Sequence, residues 1–345
     1  MENDVKKNAR ALLIAPNFFG YAQEIKARLE QRGVPTLWFN DLPAGDTMTK
    51  ILVRISPQLQ QGKAERYFDD MIEQARDQGI TQVLVIKGQS MSCEIIRRLR
   101  AALPQARFTL YFWDSYQNMS SESRDKVALF DRTFTFDPVD AEQDPRLEYR
   151  ALFYLDEYTH LPDVEKDIDL FFFGTVHSDR YQVLCQLEKS LPPHIKIKKI
   201  LYFSSRLVYW ARRLLQPAFW MSKKSDFIFK PVPKAELKLL LARSRVVLDI
   251  ERPVQAGLTM RTLEAVGARK KIITTNPFAR KTDIYTPENV LVIDRKNIVI
   301  PEDFFLSDFS ELTNDVNQKY SLDGWLNDVF FSNMAVQGSP SPLAG

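Results

Sequence analysis

The sequence predicts an α/β protein with two doubly wound, parallel-sheet domains that face a cleft. Short apolar, β-branched runs alternate with helical patterns along the whole chain, as in parallel sheets covered by helices. The 345 residues, 45% of them hydrophobic, are enough for two cores. The polar stretch 156–166 is expected to link a domain at 1–160 to a domain at 166–335. Residues 336–345, rich in Gly, Ser and Pro, are expected to be a disordered tail.

The first half predicts one parallel sheet. Apolar runs of four or five residues, each typical of a buried strand, are separated by amphipathic stretches long enough for a helix. Neither a G-x-G-x-x-G fingerprint nor a G-x-x-x-x-G-K-[ST] loop occurs, which argues against a dinucleotide oxidoreductase and a P-loop protein. The predicted strands are 11–15, 36–39, 82–86, 108–112 and 132–136, and the predicted helices are 21–31, 67–78 and 93–102.

The second half repeats the alternation. Its first strand is preceded by Asp167 and Asp169, a D-x-D pair that could suggest a metal site. We interpret the pair as solvated charge, because it stands at the start of the strand rather than at its end, and we expect no metal. The predicted strands are 170–173, 246–250, 271–275 and 289–293, the helices are 181–190, 234–242, 260–266 and 322–331, and the turns are 174–180 and 303–306.

Composition narrows the class of protein. The net charge of +3 indicates no particular partner. The two cysteines, Cys93 and Cys185, lie in apolar helical patterns and give no disulfide or metal framework, which fits a reducing cytoplasm. The apolar run 11–15 is too short for a signal-peptide core, and no stretch approaches the roughly 20 apolar residues of a transmembrane helix.

The strongest functional signal is a short helix between two predicted strands of the second half. Gly257 gives a flexible backbone before the helix, Thr259 can cap it, and Arg261 and Glu264 share one face at a spacing of three. A helix N-terminus at the carboxyl end of a parallel strand is a common site for phosphorylated ligands. Arg261 could therefore bind phosphate, and Glu264 could accept hydrogen bonds from a sugar diol. The alternative is a surface Arg–Glu pair.

This segment resembles the donor-binding region of GT-B-type glycosyltransferases, above all bacterial enzymes of cell-surface polysaccharide assembly. Their fold consists of two Rossmann-like domains, and in some of them the last helix packs back on the first domain. One position departs from the pattern, since many retaining members carry a glutamate where this sequence has Ala256, which leaves inversion or retention open. The matching residues are Gly257, Leu258, Thr259, Arg261, Glu264, Lys270, Lys271 and 273–276.

The resemblance assigns roles by position. The helix glutamate of such enzymes holds the nucleotide ribose, while the preceding loop and the first loop of the second domain face the diphosphate. In that first loop, Gly174 and Thr175 let a ligand approach the backbone, Arg180 can reach phosphate oxygens, and His177 could act as a base or hold phosphate. The predicted donor-binding residues are Gly174, Thr175, Arg180, Gly257, Leu258, Thr259, Arg261 and Glu264.

Acceptor-side residues are expected after the strands of the first half. Lys87 follows one strand, and Trp113 and Asp114 follow the next. Asp114 is a candidate base for an acceptor hydroxyl, because it is a carboxylate beside an aromatic ring at the functional edge of the sheet. The alternative is a helix cap or turn former, the role we expect for Asp137 before Pro138.

Residues 196–245 are strongly basic, with aromatic residues between the charges. Three interpretations stay open. The segment could lie on an anionic membrane surface, which would suit a lipid-linked acceptor; it could be a partly buried helix pair with basic solvent faces; or it could bind nucleic acid. Of these partners, we retain the membrane surface and expect no nucleic acid.

The sequence therefore predicts a cytoplasmic glycosyltransferase, alternatively peripheral on the inner face of the cell membrane. It would move a sugar from a nucleotide-sugar donor to a glycan or lipid-linked acceptor in lipopolysaccharide, capsule or exopolysaccharide synthesis, with no cofactor beyond the donor. Two alternatives remain. One is a pyruvyl-type transferase acting on polysaccharide, and the other is a non-catalytic protein that binds a nucleotide sugar or an assembly partner.

Overall fold

The protein forms two compact units in a computed structural model that describes residues 9–41 and 57–333. One unit contains the described residues up to Ala151 together with those from Leu322 onward, and the other is Leu152–Ser321. The boundary lies before the expected linker 156–166, and that segment is part of the second unit. The expected disordered tail, 336–345, lies outside the described residues.

The first unit has one six-stranded sheet in the order β2-β1-β3-β4-β5-β6, and every pair is parallel. Because the chain reverses direction across the sheet between β1 and β3, the carboxyl ends of these two strands border a topological switch point. The strands are β1 (Ala11–Ile14), β2 (Thr36–Phe39), β3 (Gln82–Ile86), β4 (Arg107–Phe112), β5 (Arg132–Thr135) and β6 (Glu148–Tyr149). The helices before the second unit are α1 (Tyr21–Gln31), α2 (Pro57–Arg76), α3 (Cys93–Ala102), α4 (Glu122–Lys126) and α5 (Pro138–Gln143).

Helix α3 shows why these elements form. Ser92 caps it by accepting a hydrogen bond from the Ile95 amide, and its apolar stripe packs into the core of the sheet. Strand β3 is buried along its whole length, as expected for a central parallel strand. Asp137 caps α5 through the Val139 amide, the role predicted for it.

The second unit repeats the design with a sheet in the order β12-β11-β10-β7-β8-β9, again parallel throughout. The chain reverses between β7 and β10, so the carboxyl ends of these strands border its switch point. The strands are β7 (Ile168–Thr175), β8 (Ile197–Tyr202), β9 (Phe227–Ile228), β10 (Ser244–Asp249), β11 (Lys271–Thr274) and β12 (Val290–Val292). The helices are α6 (Arg180–Ser190), α7 (Arg206–Leu215), α8 (Lys234–Arg243), α9 (Met260–Gly267), α10 (Asp303–Leu306) and α11 (Asn314–Tyr320).

Several elements differ from the prediction. Strand β7 continues through Gly174 and Thr175, which were assigned to a turn. Strands β8 and β9 lie within the segment read only as basic and aromatic, since Lys198 and Lys199 interrupt the apolar pattern of β8. Residues 303–306 form the one-turn helix α10 rather than a turn.

The last helix, α12 (Leu322–Val329), belongs to the first unit. Trp325 is fully buried there, with its ring edge-on to Tyr111 at a centroid distance of 4.9 Å. Ion pairs hold its polar side, from Arg28 to Asp323 and from Arg150 to Asp328. Within residues 9–41 and 57–333, none of the helices combines the length and the apolar composition that a membrane span requires.

Candidate functional site

The start of α9 is tied to the end of β10 by one buried carboxylate. Oδ2 of Asp249 accepts hydrogen bonds from the hydroxyls of Thr259 and Thr262, each at 2.6 Å. Thr259 also caps the helix, because its Oγ1 accepts from the Thr262 amide at 3.2 Å. The predicted cap is therefore present, and it places the N-terminus of α9 at the switch-point edge of the sheet.

Glu264 is the buried acid of this helix, with 5% of its surface exposed. Its Oε1 accepts a 2.8 Å hydrogen bond from the Tyr158 hydroxyl, and its Oε2 pairs with Nη1 of Arg261 at 2.5 Å. The expected Arg–Glu pair thus exists but is not a surface pair. A carboxylate has about four lone-pair sites, so oriented oxygens of this kind can accept further hydroxyl groups.

Tyr158 was missed by the sequence analysis. It lies in the short 3₁₀ helix Asp156–Tyr158, within the stretch expected to be a linker. Burial raises the pKa of its phenol, and the neighbouring Glu264 raises it further, so the hydroxyl stays protonated and donates. No local pattern marks this residue, because its partner is 106 positions away along the chain.

Arg180 joins the two strands that border the switch point. It donates from Nε to the Ile250 carbonyl at 2.7 Å and from Nη1 to the Thr175 carbonyl at 2.9 Å. Gly174 makes room for this arrangement, since a Cβ there would lie 3.0 Å from Nη1 of Arg180. Burial lowers the pKa of Arg180 to about 10, which leaves it a cation at neutral pH.

His177 lies among positive charges. Burial, and to a smaller extent the charges of Arg180, Arg252 and Arg212, lower its pKa to about 3. The imidazole is therefore neutral at pH 7 and gives phosphate no charge. Ser178, which follows it, has a left-handed backbone with φ +49°, and its hydroxyl lies 3.1 Å from Nδ1 of His177.

The remaining predicted donor residues contribute backbone and packing. Leu258 is buried, and the carbonyl of Gly257 accepts hydrogen bonds from Gln255 at 2.9 Å and from Asn276 at 3.4 Å. Asn276 also donates to the Ala256 carbonyl at 3.0 Å. These contacts hold the loop between β10 and α9 in one shape.

A second network, also missed from the sequence, follows β10. Glu251 is buried and accepts a hydrogen bond from the Thr275 hydroxyl at 2.6 Å. Arg295 donates to the Glu251 carboxylate at 2.6 Å and to the Asp179 carboxylate at 2.8 Å, and so links Glu251 to the residue that precedes α6. Burial raises the pKa of Glu251. The signal available in the sequence was the position of Glu251, an acidic residue two positions after Asp249, which ends the buried strand β10.

In the first unit, the predicted acceptor residues lie at the edge formed by the carboxyl ends of β3 and β4. Nζ of Lys87 is 3.7 Å from Oδ2 of Asp114, and Asn118 donates to Oδ1 of Asp114 at 3.0 Å. Lys87 has a left-handed backbone, with φ +71°. Trp113 contacts Tyr21 edge-on at 5.7 Å.

Two further carboxylates at this edge have perturbed acidity. Burial raises the pKa of Asp41 to about 6, although the Gln89 amide donates to it at 3.0 Å. Burial also raises the pKa of Asp140 to about 6, with a further contribution from Asp137. Sequence reasoning named neither residue, since burial of a loop acid depends on the tertiary structure.

The described residues contain no group of three or more His, Cys, Asp and Glu side chains placed to hold a metal ion. Of the D-x-D pair, Asp167 forms an ion pair with Arg243, and Asp169 accepts a hydrogen bond from the Lys196 amide at 2.8 Å. Both acids are therefore engaged in contacts at the amino end of β7.

Two parallel six-stranded sheets, each wound in both directions from a switch point, define the GT-B fold, and this chain has it. No protein-family model matches the sequence, and no curated protein matches it. Several solved structures, however, are similar to this chain.

A glycosyltransferase from Rickettsia africae has 12% identity and a TM-score of 0.61, covering 96% of this chain and 100% of its own. HepE of Anabaena, solved with UDP and glucose, has 12% identity and a TM-score of 0.53, covering 95% of this chain and 98% of its own. UDP-GlcNAc 2-epimerase from Neisseria meningitidis, solved with UDP-GlcNAc, has 11% identity and a TM-score of 0.53, covering 95% of this chain and 100% of its own. At these identities the likeness shows the fold, which serves more than one reaction.

Proposed function

We propose that the protein is a glycosyltransferase that moves a sugar from a nucleotide-sugar donor to a glycan or lipid-linked acceptor in bacterial surface polysaccharide synthesis. The observation that carries the proposal is the Glu264 carboxylate, buried near the N-terminus of α9 and held by Arg261 and Tyr158. A carboxylate fixed in this way suits a diol such as a ribose, and the adjacent helix terminus suits a diphosphate.

A uridine nucleotide is the proposed donor class. HepE and the epimerase were solved with UDP or a UDP-sugar, which supports this choice. The diphosphate would lie against the switch-point edge, near the amides of α9 and the cations of Arg180 and Arg252. Positive charge there would stabilise the negative charge that develops on the departing diphosphate.

The neutral His177 fits this arrangement as a hydrogen-bonding group. Its low pKa results from burial and from surrounding arginines, so a bound diphosphate would offset the arginine charges and raise that pKa. For the first unit, we propose Asp114 as the base that accepts the proton of the acceptor hydroxyl; Nζ of Lys87 lies 3.7 Å from its Oδ2.

Binding of UDP, GDP, CMP and phosphoenolpyruvate, measured by calorimetry with wild type and Glu264→Gln, tests the donor site. We expect UDP to bind, and we expect the variant to bind it about 30- to 150-fold more weakly, because charge-assisted bonds to the ribose are lost, at about 2–3 kcal/mol. The control is Glu311→Gln, which makes the same change in another arginine-paired glutamate, with Arg269 as its partner. It should leave UDP affinity unchanged.

The outcomes separate the alternatives. Binding of phosphoenolpyruvate alone would favour the pyruvyl-type transferase. UDP binding that is equal in wild type and Glu264→Gln would refute the site. UDP-sugar binding that depends on Glu264, without transfer to any glycan or lipid-linked acceptor, would favour the non-catalytic protein. Product analysis also distinguishes a glycosyl product from a UDP-sugar epimerised on its ring.

A further inference from the structure

Helix α7 turns its apolar side chains toward solvent. Leu207, Trp210 and Leu214 recur at helical spacing, and Leu215 follows. Their exposed fractions are 79%, 49%, 78% and 80%. Exposure this large on successive apolar residues of one helix face is unusual, because soluble proteins rarely leave contiguous apolar patches uncovered.

After its first residue, Arg206, the helix turns its polar side chains the other way. Tyr209 is buried, and Arg213 donates to its hydroxyl at 3.3 Å. The Arg212 guanidinium lies over the rings of Phe203 and Phe219, and burial lowers its pKa. The interpretation of this segment as a helix with a basic solvent face is therefore wrong for α7, whose solvent face is apolar.

The apolar surface continues beyond the helix. After the 3₁₀ turn Pro217–Phe219, Trp220 is 59% exposed and Met221 is 95% exposed. Phe219 between them and the helix is buried and stacks on Tyr181 at 4.7 Å, which anchors the turn to the core. We call the exposed set the α7 patch, and its members are Leu207, Trp210, Leu214, Leu215, Trp220 and Met221.

Positive charge surrounds the patch along the chain. Residues 196–230 contain nine lysines and arginines and one acid, Asp226. Asp226 is engaged, since it accepts a hydrogen bond from the Lys223 amide at 2.8 Å. Arg206 at the start of α7 is exposed, as are Lys223 and Lys224 just after Met221.

We propose that the α7 patch docks on an anionic lipid bilayer. Large aliphatic side chains, two exposed tryptophans and a basic margin are the combination that an interfacial helix needs. The apolar face enters the headgroup region, indole rings settle at the interface, and cations contact anionic headgroups. The proposal uses none of the donor-site residues and stands independently of the transferase proposal.

Vesicle co-sedimentation of the full-length protein tests the proposal. We expect binding to phosphatidylcholine vesicles that contain 40% phosphatidylglycerol, and binding at least about tenfold weaker without the anionic lipid. Brominated lipid should quench tryptophan fluorescence as Trp210 and Trp220 enter the bilayer. The double variant Leu214→Glu/Leu215→Glu adds two acidic charges to the patch. Charge alone should weaken its binding about 25-fold, at about fivefold per charge.

The matched control is Val299→Glu/Leu306→Glu. It places the same two charges on apolar residues of the same unit, which are 65% and 77% exposed and lie outside the patch. It should bind vesicles about as well as wild type, apart from a small effect of net charge. Equal circular dichroism and melting temperatures show that both variants fold.

Three results would overturn the proposal. One is no binding to anionic vesicles at 0.1 M salt, and another is an equal loss in both double variants. The third is self-association of wild type that Leu214→Glu/Leu215→Glu abolishes while vesicle binding is absent, which would make the patch a contact between copies of the chain.

Discussion

Tyr158 should position Glu264, and Tyr158→Phe isolates that contribution. The change removes only the hydroxyl that donates to Oε1 of Glu264 at 2.8 Å and keeps the buried ring. A hydrogen bond to a charged group contributes about 1.5–3 kcal/mol, so we expect the free energy of unfolding to fall by about 2 kcal/mol. UDP affinity should fall about five- to tenfold, or about 1–1.4 kcal/mol, because the carboxylate is less well oriented.

Tyr154→Phe is the matched control. Tyr154 is also a buried tyrosine of the second unit, but its hydroxyl donates at 2.6 Å to the neutral carbonyl of Asn317. A neutral hydrogen bond contributes about 1 kcal/mol, so this variant should lose about half as much stability. It should keep wild-type affinity for UDP, since its partner lies in α11 rather than at the site.

Two measurements decide the comparison. Urea unfolding followed by circular dichroism gives the stability of each variant, and calorimetry gives the affinity for UDP. Equal affinity for UDP in wild type and Tyr158→Phe, with the expected loss of stability, would show that Tyr158 has a structural role only. A larger loss of affinity in Tyr154→Phe would refute the assignment of the site.

Two further predictions concern the two sheet edges. Gly174→Ala should weaken UDP binding several-fold and cost about 1 kcal/mol of stability, because the new Cβ would lie 3.0 Å from Nη1 of Arg180, which must shift, but at an ordinary 3.6 Å from the Phe172 ring. Calorimetry of UDP binding and urea unfolding measure the two effects, and unchanged affinity would exclude Arg180 from the site. Since burial raises the pKa of Asp41 to about 6, its contribution to stability is present below about pH 4 and is lost as pH rises toward 6. His177, whose pKa is lowered, changes stability in the opposite sense over much of this range, so the contribution of Asp41 is measured as the difference between wild type and Asp41→Asn. The melting temperatures of the two proteins should diverge from pH 4.5 to 7, and parallel curves would contradict the prediction.

The sequence by itself determined the local features of the molecule. The helix periods and strand patterns at 21–31, 36–39, 82–86 and 93–102 predict the observed bounds, because amphipathic spacing is read within one element. The Thr259 cap and the Arg261–Glu264 pair follow for the same reason, since every partner lies within one helical turn. The parallel α/β class follows from their alternation.

Only the tertiary structure decided which residues meet. Tyr158 reaches Glu264 across 106 positions, and Arg180 reaches the Ile250 carbonyl across 70. The tertiary structure also decided which face of α7 is exposed to solvent. Its pattern identifies two faces, but which face is covered depends on the aromatic core beneath it, where Tyr209 and Arg212 find partners. Burial, and with it the acidity of Asp41 and His177, depends on packing between distant segments, to which local sequence patterns are insensitive.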